Sequence, residues 1–323
     1  MNLLHTRLFC AVLIGIAAHS AAAPLVFVSS EKDNALAIID ATTLTVQGTL
    51  ATCKRPRHMQ RTPDGKRLLV ACAESNAAEV IDLASRKSVG RIPLGDNPEA
   101  FDIAPDGKTL YVSNEDDGEL GFIDMASGKK FKSVPVGKEP EGVKVAADGK
   151  TVYVTSEVAS LVHVVDAMTG KVTQNIKVGK RPRRMALSPD GAELWVTSEL
   201  DASVSIISTK THTLLQTLRF EVPGARATDI TPVGITMTRN GATAFVALGN
   251  ANHVAFIDAR ARKVIRLVLA GKRAWNVALD AAEARLYVVN GLSDDMTVID
   301  VASGKPLKTV PVGRVPYQAV VVE

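Results

Sequence analysis

The sequence predicts an all-β protein, a seven-bladed β-propeller with four antiparallel strands in each blade. Three observations support this prediction: a motif recurs at a fixed interval, each copy contains four short apolar runs, and the two ends of the chain together supply about one more copy. The recurring motif begins at four evenly spaced prolines: Pro56, Pro98, Pro140 and Pro182. A fixed period of this length is typical of repeat architectures.

The repeat that begins at Pro98 contains four runs rich in Val, Ile, Leu and Tyr. They lie roughly at 99–104, 109–114, 119–124 and 130–136. Asp106-Gly107 separates the first two runs, and Asp-Gly is a strong signal for a tight hairpin because glycine adopts positive φ without strain. Four short antiparallel strands in about 40 residues correspond to one propeller blade.

A helical repeat, with a period of about 40 residues, is the competing interpretation. It requires two uninterrupted helices in each repeat. In the repeat that begins at Pro98, glycine or proline recurs at 105, 107, 118, 121 and 128, which favours short strands over two long helices.

Counting the repeats predicts how the ring closes. Six complete blades are expected, and the fourth is longer than the others by an insertion: 56–97, 98–139, 140–181, 182–231, 232–273 and 274–315. The tail 316–323 has the length of one strand, and the head 24–55 contains three apolar runs. We expect these two pieces to pair as a seventh blade, because closure removes the exposed edges of an open array.

Residues 1–23 are predicted to be a secretory signal peptide. A weakly basic start precedes the apolar run Leu8–Ala18, which is too short to span a bilayer, and three alanines at 21–23 fit a cleavage site. The alternative is an uncleaved anchor. The expected mature chain, 24–323, is a single propeller domain that is periplasmic or secreted and has no membrane span.

Two cysteines follow the predicted signal peptide, Cys53 and Cys72. The strand topology places both at the same face of the ring, and an exported protein can form disulfides. A disulfide between them is one interpretation, and two small buried hydrophobic residues is the other.

The composition disfavours several classes of function. The formal net charge is +4 with the signs interleaved, and no basic run or aromatic platform points to nucleic acid. The histidines after residue 23 lie in different repeats without a zinc spacing: His58, His163, His212 and His253. No G-x-S-x-G, C-x-x-C-H or glycine-rich phosphate loop is present. The sequence therefore predicts neither a catalytic residue nor a metal or cofactor.

Acidic residues recur at two positions of the repeat. An aspartate recurs at the end of the third apolar run in six of the seven blades, as Asp124 and Asp166 do, and is interpreted as a turn cap. Glutamates recur at one fixed distance after the leading proline, at Glu115, Glu157 and Glu199, and Glu31 fits the same position in the split blade. The glutamates are either a consensus feature of the repeat or part of an acidic ring.

The start of each first strand is predicted to face an axial funnel, at the face where each second strand ends. Ten side chains are the candidate binding residues: Arg57, His58, Glu99, Glu141, Arg183, Arg184, Trp275, Asn276, Tyr317 and Gln318. The insertion of the fourth blade, within 219–231, falls in the same class of loop, and insertions on one face often mark a binding face. The alternative is that these residues only form ion pairs between blades.

The second strands carry the motifs YVSN (111–114), YVTS (153–156), WVTS (195–198) and YVVN (287–290). With PDG before them and VID after them, they resemble the YVTN-family β-propeller repeat. The chain is most similar to exported propellers associated with PQQ-dependent alcohol catabolism. This resemblance implies a periplasmic accessory protein whose partner is a quinoprotein dehydrogenase or its cytochrome.

Three hypotheses for the function follow. The first is a non-enzymatic binding protein for such a partner or for a quinone-type ligand. The second is a lactonase-like hydrolase, in which His58 acts with Glu99 or Glu141 as general acid–base and Arg183 or Arg184 holds an anionic substrate. The third is a haem- or quinone-binding propeller with His58 as an axial haem ligand.

Overall fold

The computed structural model describes residues 24–323, which form seven four-stranded antiparallel sheets. Blades 1 to 3 comprise β4 (Pro56–Arg61), β5 (Arg67–Cys72), β6 (Ala77–Asp82), β7 (Lys87–Pro93); β8 (Pro98–Ile103), β9 (Thr109–Asn114), β10 (Glu119–Asp124), β11 (Lys129–Pro135); and β12 (Pro140–Val145), β13 (Thr151–Ser156), β14 (Leu161–Asp166), β15 (Val172–Lys177). Blades 4 to 6 comprise β16 (Pro182–Leu187), β17 (Glu193–Ser198), β18 (Ser203–Ser208), β19 (Leu214–Arg219); β20 (Ile235–Met237), β21 (Thr243–Ala247), β22 (His253–Asp258), β23 (Lys263–Leu269); and β24 (Ala274–Leu279), β25 (Arg285–Asn290), β26 (Asp295–Asp300), β27 (Pro306–Pro311).

Blade 7 is built from both ends of the described chain. It comprises β28 (Pro316–Val322), β1 (Leu25–Ser30), β2 (Ala35–Asp40) and β3 (Thr45–Ala51). β28 pairs antiparallel with β1, and Val28 lies opposite Ala319. This pairing confirms the prediction of a seven-bladed all-β propeller closed by its terminal strands. The described residues contain only three short 3-10 helices: Ala73–Ser75, Glu199–Asp201 and Ala227–Asp229. No helix within 24–323 is long and apolar enough to cross a bilayer. The predicted signal peptide lies outside the described residues.

Burial decreases from the axis outward. The second strand β13 is buried along nearly its whole length, whereas the fourth strand β3 is largely exposed. Apolar clusters fill the spaces between neighbouring blades, and the fully buried Trp195 lies in one of them. This arrangement follows from the alternation of the inner strands, whose two faces both meet another blade.

The recurring second-strand motif holds neighbouring blades together. The hydroxyls of Ser29, Ser113 and Thr155 each donate to a backbone carbonyl of the next inner strand, at distances of 2.8, 2.9 and 2.9 Å. The three acceptors belong to candidate site residues: Arg57, Glu141 and Arg183. The small hydroxyl residue in YVTN-like motifs therefore fixes the backbone of the axial side chains.

The recurring aspartates cap turns, as the sequence predicts. Oδ1 of Asp124 accepts the backbone N–H of Ser127 at 2.8 Å and its hydroxyl at 2.6 Å. These bonds from Ser127 lower the pKa of Asp124. Asp166 makes the same two contacts with Thr169.

We call the face where the first strand of each blade begins the upper face, and the opposite one the lower face. Pro140 at the start of β12 lies opposite Ser156 at the end of β13, so the turn after each second strand also belongs to the upper face. Cys53 and Cys72 meet at this face and form a disulfide with a Cα–Cα distance of 5.7 Å.

Candidate functional site

Two cavities lie on the axis of the ring, one at each face. The upper cavity has a volume of about 530 Å³ and the lower one about 560 Å³. Five candidate residues line the upper cavity: Arg57, Glu99, Glu141, Arg183 and Trp275. Four line the lower cavity: His58, Arg184, Asn276 and Gln318. The tenth, Tyr317, is buried between the arginines of both sets.

The single funnel expected from the sequence is therefore replaced by two cavities. The cause is a β-bulge in the innermost strands. In blade 1 the register with β5 shifts between Pro56 and Met59, so Arg57 and His58 together lie opposite one residue. Blade 4 has the same shift between Pro182 and Met185. A bulge re-aims neighbouring side chains, and it sends adjacent residues of one strand to different ends of the axis.

Buried ion pairs form the floor of the upper cavity. Arg183 contacts Glu157, and its Nη2 lies 3.2 Å from Oε1 of Glu141. Nη2 of Arg184 lies 3.3 Å from the same carboxylate oxygen. All four side chains are at least nine-tenths buried. Buried charges are tolerated only when they are paired, and this floor supplies the pairing.

Tyr317 connects the two halves of the floor. The guanidinium of Arg57 contacts Glu99 and lies 4.7 Å above the centre of the Tyr317 ring. Arg184 donates to the Tyr317 hydroxyl. Arg184 belongs to blade 4 and Tyr317 to blade 7, which lie on opposite sides of a seven-membered ring. Their contact therefore crosses the axis and lies between the two cavities.

Two glutamates of the floor have opposite pKa shifts. Burial alone would raise the pKa of Glu141, but Arg183, Arg184 and Arg57 outweigh it and lower this pKa to about 2. Burial raises the pKa of Glu157 to about 7, with Arg183 offsetting only part of that effect. The floor thus holds one carboxylate that stays ionised and one that can carry a proton near neutral pH.

The recurring glutamates do gather around the upper mouth, as the acidic-ring interpretation expects. Nε of Arg181 lies 2.8 Å from Oε2 of Glu157 and 3.1 Å from Oε2 of Glu199. Glu31 accepts from Arg55 at 3.0 Å. Glu115 lines the same cavity, and burial followed by the charge of Glu141 raises its pKa.

Trp275 lies between two guanidinium groups. Arg273 stacks at 4.0 Å from the ring centre and Arg183 lies at 5.2 Å. Arg273 is not among the residues selected from the sequence. It occupies the position before the first strand, as Arg55 and Arg181 do, and that shared position was the signal that could have identified it.

The lower cavity has a different chemical character. His58 packs edge-on against Phe101, with ring centres 4.8 Å apart. Burial, with help from Arg184 and Lys144, lowers the pKa of His58 to about 3, so the imidazole is neutral at ordinary pH. The side chain of Gln318 is a latch between blades, since it accepts from the backbone N–H of Met59 at 2.8 Å and donates to its carbonyl at 3.2 Å.

Three apolar side chains at the upper face were missed by sequence reasoning. Val158, Leu200 and Leu292 lie in the turns after β13, β17 and β25, each at the same distance from the start of its blade. Their exposed fractions are 61%, 62% and 61%. The same position is charged in three other blades, where it is occupied by Lys32, Glu74 and Asp116. This departure from the pattern of the other blades was the available signal.

Two family models match the sequence. One, described as a YNCE-like beta-propeller, matches residues 8–89 and 95–188, more than half of the chain. The other, described as a 7-bladed beta-propeller lactonase, matches residues 167–322. A comparison with curated proteins finds no match.

Several solved structures have the same fold. Hydrazine synthase of Kuenenia stuttgartiensis is similar with a TM-score of 0.77 and 24% identity, over 85% of this chain and 92% of that one. A functionally unknown protein from Desulfotomaculum acetoxidans gives 0.79 and 17%, over 93% and 99%. The dihydro-heme d1 dehydrogenase NirN gives 0.70 and 15%, over 92% and 74%. At these identities the likeness concerns the fold alone.

Proposed function

The chain belongs to the YNCE-like β-propeller family, and we propose that it is an exported, non-enzymatic binding protein that docks on a quinoprotein dehydrogenase. The quinoprotein partner and the periplasmic location come from the resemblance of the second-strand motifs. The docking face comes from the asymmetry of the upper surface.

The observation that carries the proposal is the sector of the upper face formed by Val158, Leu200 and Leu292. We call it the apolar sector. Isolated exposed apolar residues are common, but these three share one repeat position and lie in blades 3, 4 and 6, on one side of the ring. Backbone hydrogen bonds fix two of these turns. The N–H of Leu200 donates to the carbonyl of Lys180 at 3.2 Å, and the N–H of Leu292 donates to the carbonyl of Lys272 at 3.0 Å.

Cations border the apolar sector. The side chains of Lys138, Lys180 and Lys272 are exposed, and no carboxylate of residues 24–323 forms an ion pair with them. In the opposite sector, in blades 1 and 2, the corresponding turns carry the acidic side chains Glu74 and Asp116, beside the exposed Lys54. Protein interfaces combine an apolar centre with a charged rim that sets orientation and partner choice. The fitting partner therefore has an apolar patch surrounded by acidic residues.

The positions of the axial side chains disfavour the hypothesis that His58 is a catalytic base, and they favour a binding protein. The hydrolase hypothesis needs His58 beside Glu99 or Glu141, but His58 lines the lower cavity and both glutamates line the upper one. A histidine with a pKa near 3 is also a weak general base at neutral pH. Arg183, assigned to an anionic substrate, is already paired with Glu141 and Glu157.

The test is binding of the purified protein to the quinoprotein alcohol dehydrogenase of the same host, measured by biolayer interferometry. The triple variant Val158→Asp, Leu200→Asp, Leu292→Asp is expected to bind at least tenfold more weakly. The matched control places three aspartates at exposed apolar residues of outer strands: Val46, Val89 and Leu307. It should bind like the wild type.

Absence of binding to the dehydrogenase, or an equal loss in the control, would refute the proposal. The host's c-type cytochrome is measured in parallel. Binding to the cytochrome alone would assign the face to a different partner and refute the dehydrogenase as the occupant.

A hydrolase is the second candidate, and one observation favours it at a different site. Glu157 and Glu141 are adjacent carboxyl groups whose pKa values are pushed to about 7 and about 2. Divergent pKa values in one cavity are a pattern of acid–base pairs. A screen for lactone hydrolysis with the wild type and Glu157→Gln tests this candidate. Turnover that the variant loses would support it, and no turnover would remove it.

A further inference from the structure

The lower cavity is not needed for docking at the upper face, yet it has the size of a ligand site. Its volume of about 560 Å³ lies within the range of small-molecule pockets, roughly 300–1,000 Å³. Apolar groups form part of its wall: Phe101, Met185 and Met237 line it together with the neutral ring of His58.

Two hydrogen-bond donors at the floor of this cavity have no acceptor in the part of the chain that is described. Arg184 is nine-tenths buried, its Nη atoms bond to the Glu141 carbonyl and the Tyr317 hydroxyl, and Nη2 also lies 3.3 Å from Oε1 of the Glu141 carboxylate. Its Nε–H has no acceptor. Asn276 is also nine-tenths buried, and its Oδ1 accepts the backbone N–H of Val277 at 2.9 Å. That bond leaves its amide Nδ2 free to donate.

The other cations of the cavity lie away from this pair or are already satisfied. Nζ of Lys144 lies 2.9 Å from Oδ2 of Asp102, and Nε of Arg239 lies 3.3 Å from Oε1 of Glu283. Arg61, at the far end of β4, also has a buried Nε without an acceptor among residues 24–323. The polar groups at the floor that lack a hydrogen-bond partner within residues 24–323 are therefore donors. A donor without an acceptor is unfavourable when it is buried, so the floor favours a ligand that supplies hydrogen-bond acceptors.

We propose that the lower cavity binds a small molecule with an oxyanion, such as a carboxylate, at the floor and an apolar body against the wall. The oxyanion accepts from the amide of Asn276 and is stabilised by the positive charge of the neighbouring Arg184. The apolar body contacts Phe101 and the methionines. The proposal is independent of the upper face, because it uses other residues and a cavity on the other side of the Arg184–Tyr317 contact.

The experiment is isothermal titration calorimetry with decanoate as the probe and decanol as its uncharged analogue. Decanoate is expected to bind at least tenfold more tightly than decanol. The variant Asn276→Asp keeps the acceptor for Val277 and replaces the amide donor with a negative oxygen. It should lose at least tenfold in decanoate affinity while its decanol affinity stays unchanged.

The matched control is Arg239→Gln, which changes the net charge by the same amount at a group already paired with Glu283. It should bind both probes as the wild type does. No binding of decanoate at millimolar concentration would overturn the proposal. An equal loss in Asn276→Asp and Arg239→Gln would also overturn it, because it would reduce the effect to long-range charge.

Discussion

The two axial cavities have nearly equal volumes and opposite chemistry. In the upper cavity, guanidinium and carboxylate groups lie side by side, and the floor consists of buried ion pairs. In the lower cavity, the floor presents donors without acceptors beside an apolar wall. The ion pairs of the upper cavity stabilise the ring, whereas the unpaired donors of the lower cavity are available to a ligand. Position on the axis alone therefore does not predict what a propeller cavity does.

The largest expected effect comes from removing the strand that both cavities share. β28 carries Tyr317 of the upper floor and Gln318 of the lower latch, and it pairs with β1 along most of its length. Deletion of 317–323 should prevent cooperative folding, because it removes the pairing that closes the ring and leaves the inner edge of β1 unpaired. Differential scanning calorimetry provides the measurement. Deletion of Glu323 alone, which lies beyond β28, is the control, and a truncated form that melts with the wild type would contradict ring closure.

A smaller but still large effect is expected from Arg183→Ala in the upper floor. The substitution leaves the buried carboxylates Glu141 and Glu157 without their shared partner, and breaking a buried pair in this way costs about 3–5 kcal/mol. Arg273→Ala is the matched control, since Arg273 lines the same cavity and stacks on Trp275 but forms no ion pair with any carboxylate of residues 24–323. It should cost about 1 kcal/mol. Urea unfolding gives both values, and equal losses would mean that the ion pairs do not support the floor.

The two cavities should also respond to pH with opposite signs. The pKa of His58 falls from 6.5 to about 3 on folding, so stability is lost as the pH falls through that window. The pKa of Glu157 rises from 4.5 to about 7, so stability is lost as the pH rises through that window. His58→Gln should reduce the pH dependence of the unfolding free energy in the first window, and Glu157→Gln should reduce it in the second. Each change should be at most about 1.4 kcal/mol per pH unit.

Urea unfolding at a series of pH values between 3 and 8 measures both slopes. If the two variants changed the pH dependence in the same direction, the contrast between the two cavities would be wrong.

The fold could be predicted from spacing because each blade repeats the same local pattern. The even steps between prolines place the inner strands, and the incomplete pieces at 24–55 and 316–323 indicate the closing blade. Asp124 and its equivalents were recognisable as turn caps from the residues around them. The pairing of Cys53 with Cys72, one of two open interpretations, required coordinates to decide.

The division of the site could not be predicted in the same way. A bulge at Arg57 and His58 decides which cavity each side chain enters, and nothing in the residue types marks it. The contact of Arg184 with Tyr317 joins two strands that are far apart in the chain, across the axis. The apolar sector was visible in the sequence only as a deviation at one repeat position, and its meaning depends on knowing which turns share a face.

The central claim, that the apolar sector is the docking face, is tested most directly by hydrogen–deuterium exchange with and without the quinoprotein dehydrogenase. We expect slower exchange in the turns that contain Val158, Leu200 and Leu292, and no change in the turns that contain Glu74 and Asp116. Protection confined to the acidic turns or to the lower face would contradict it.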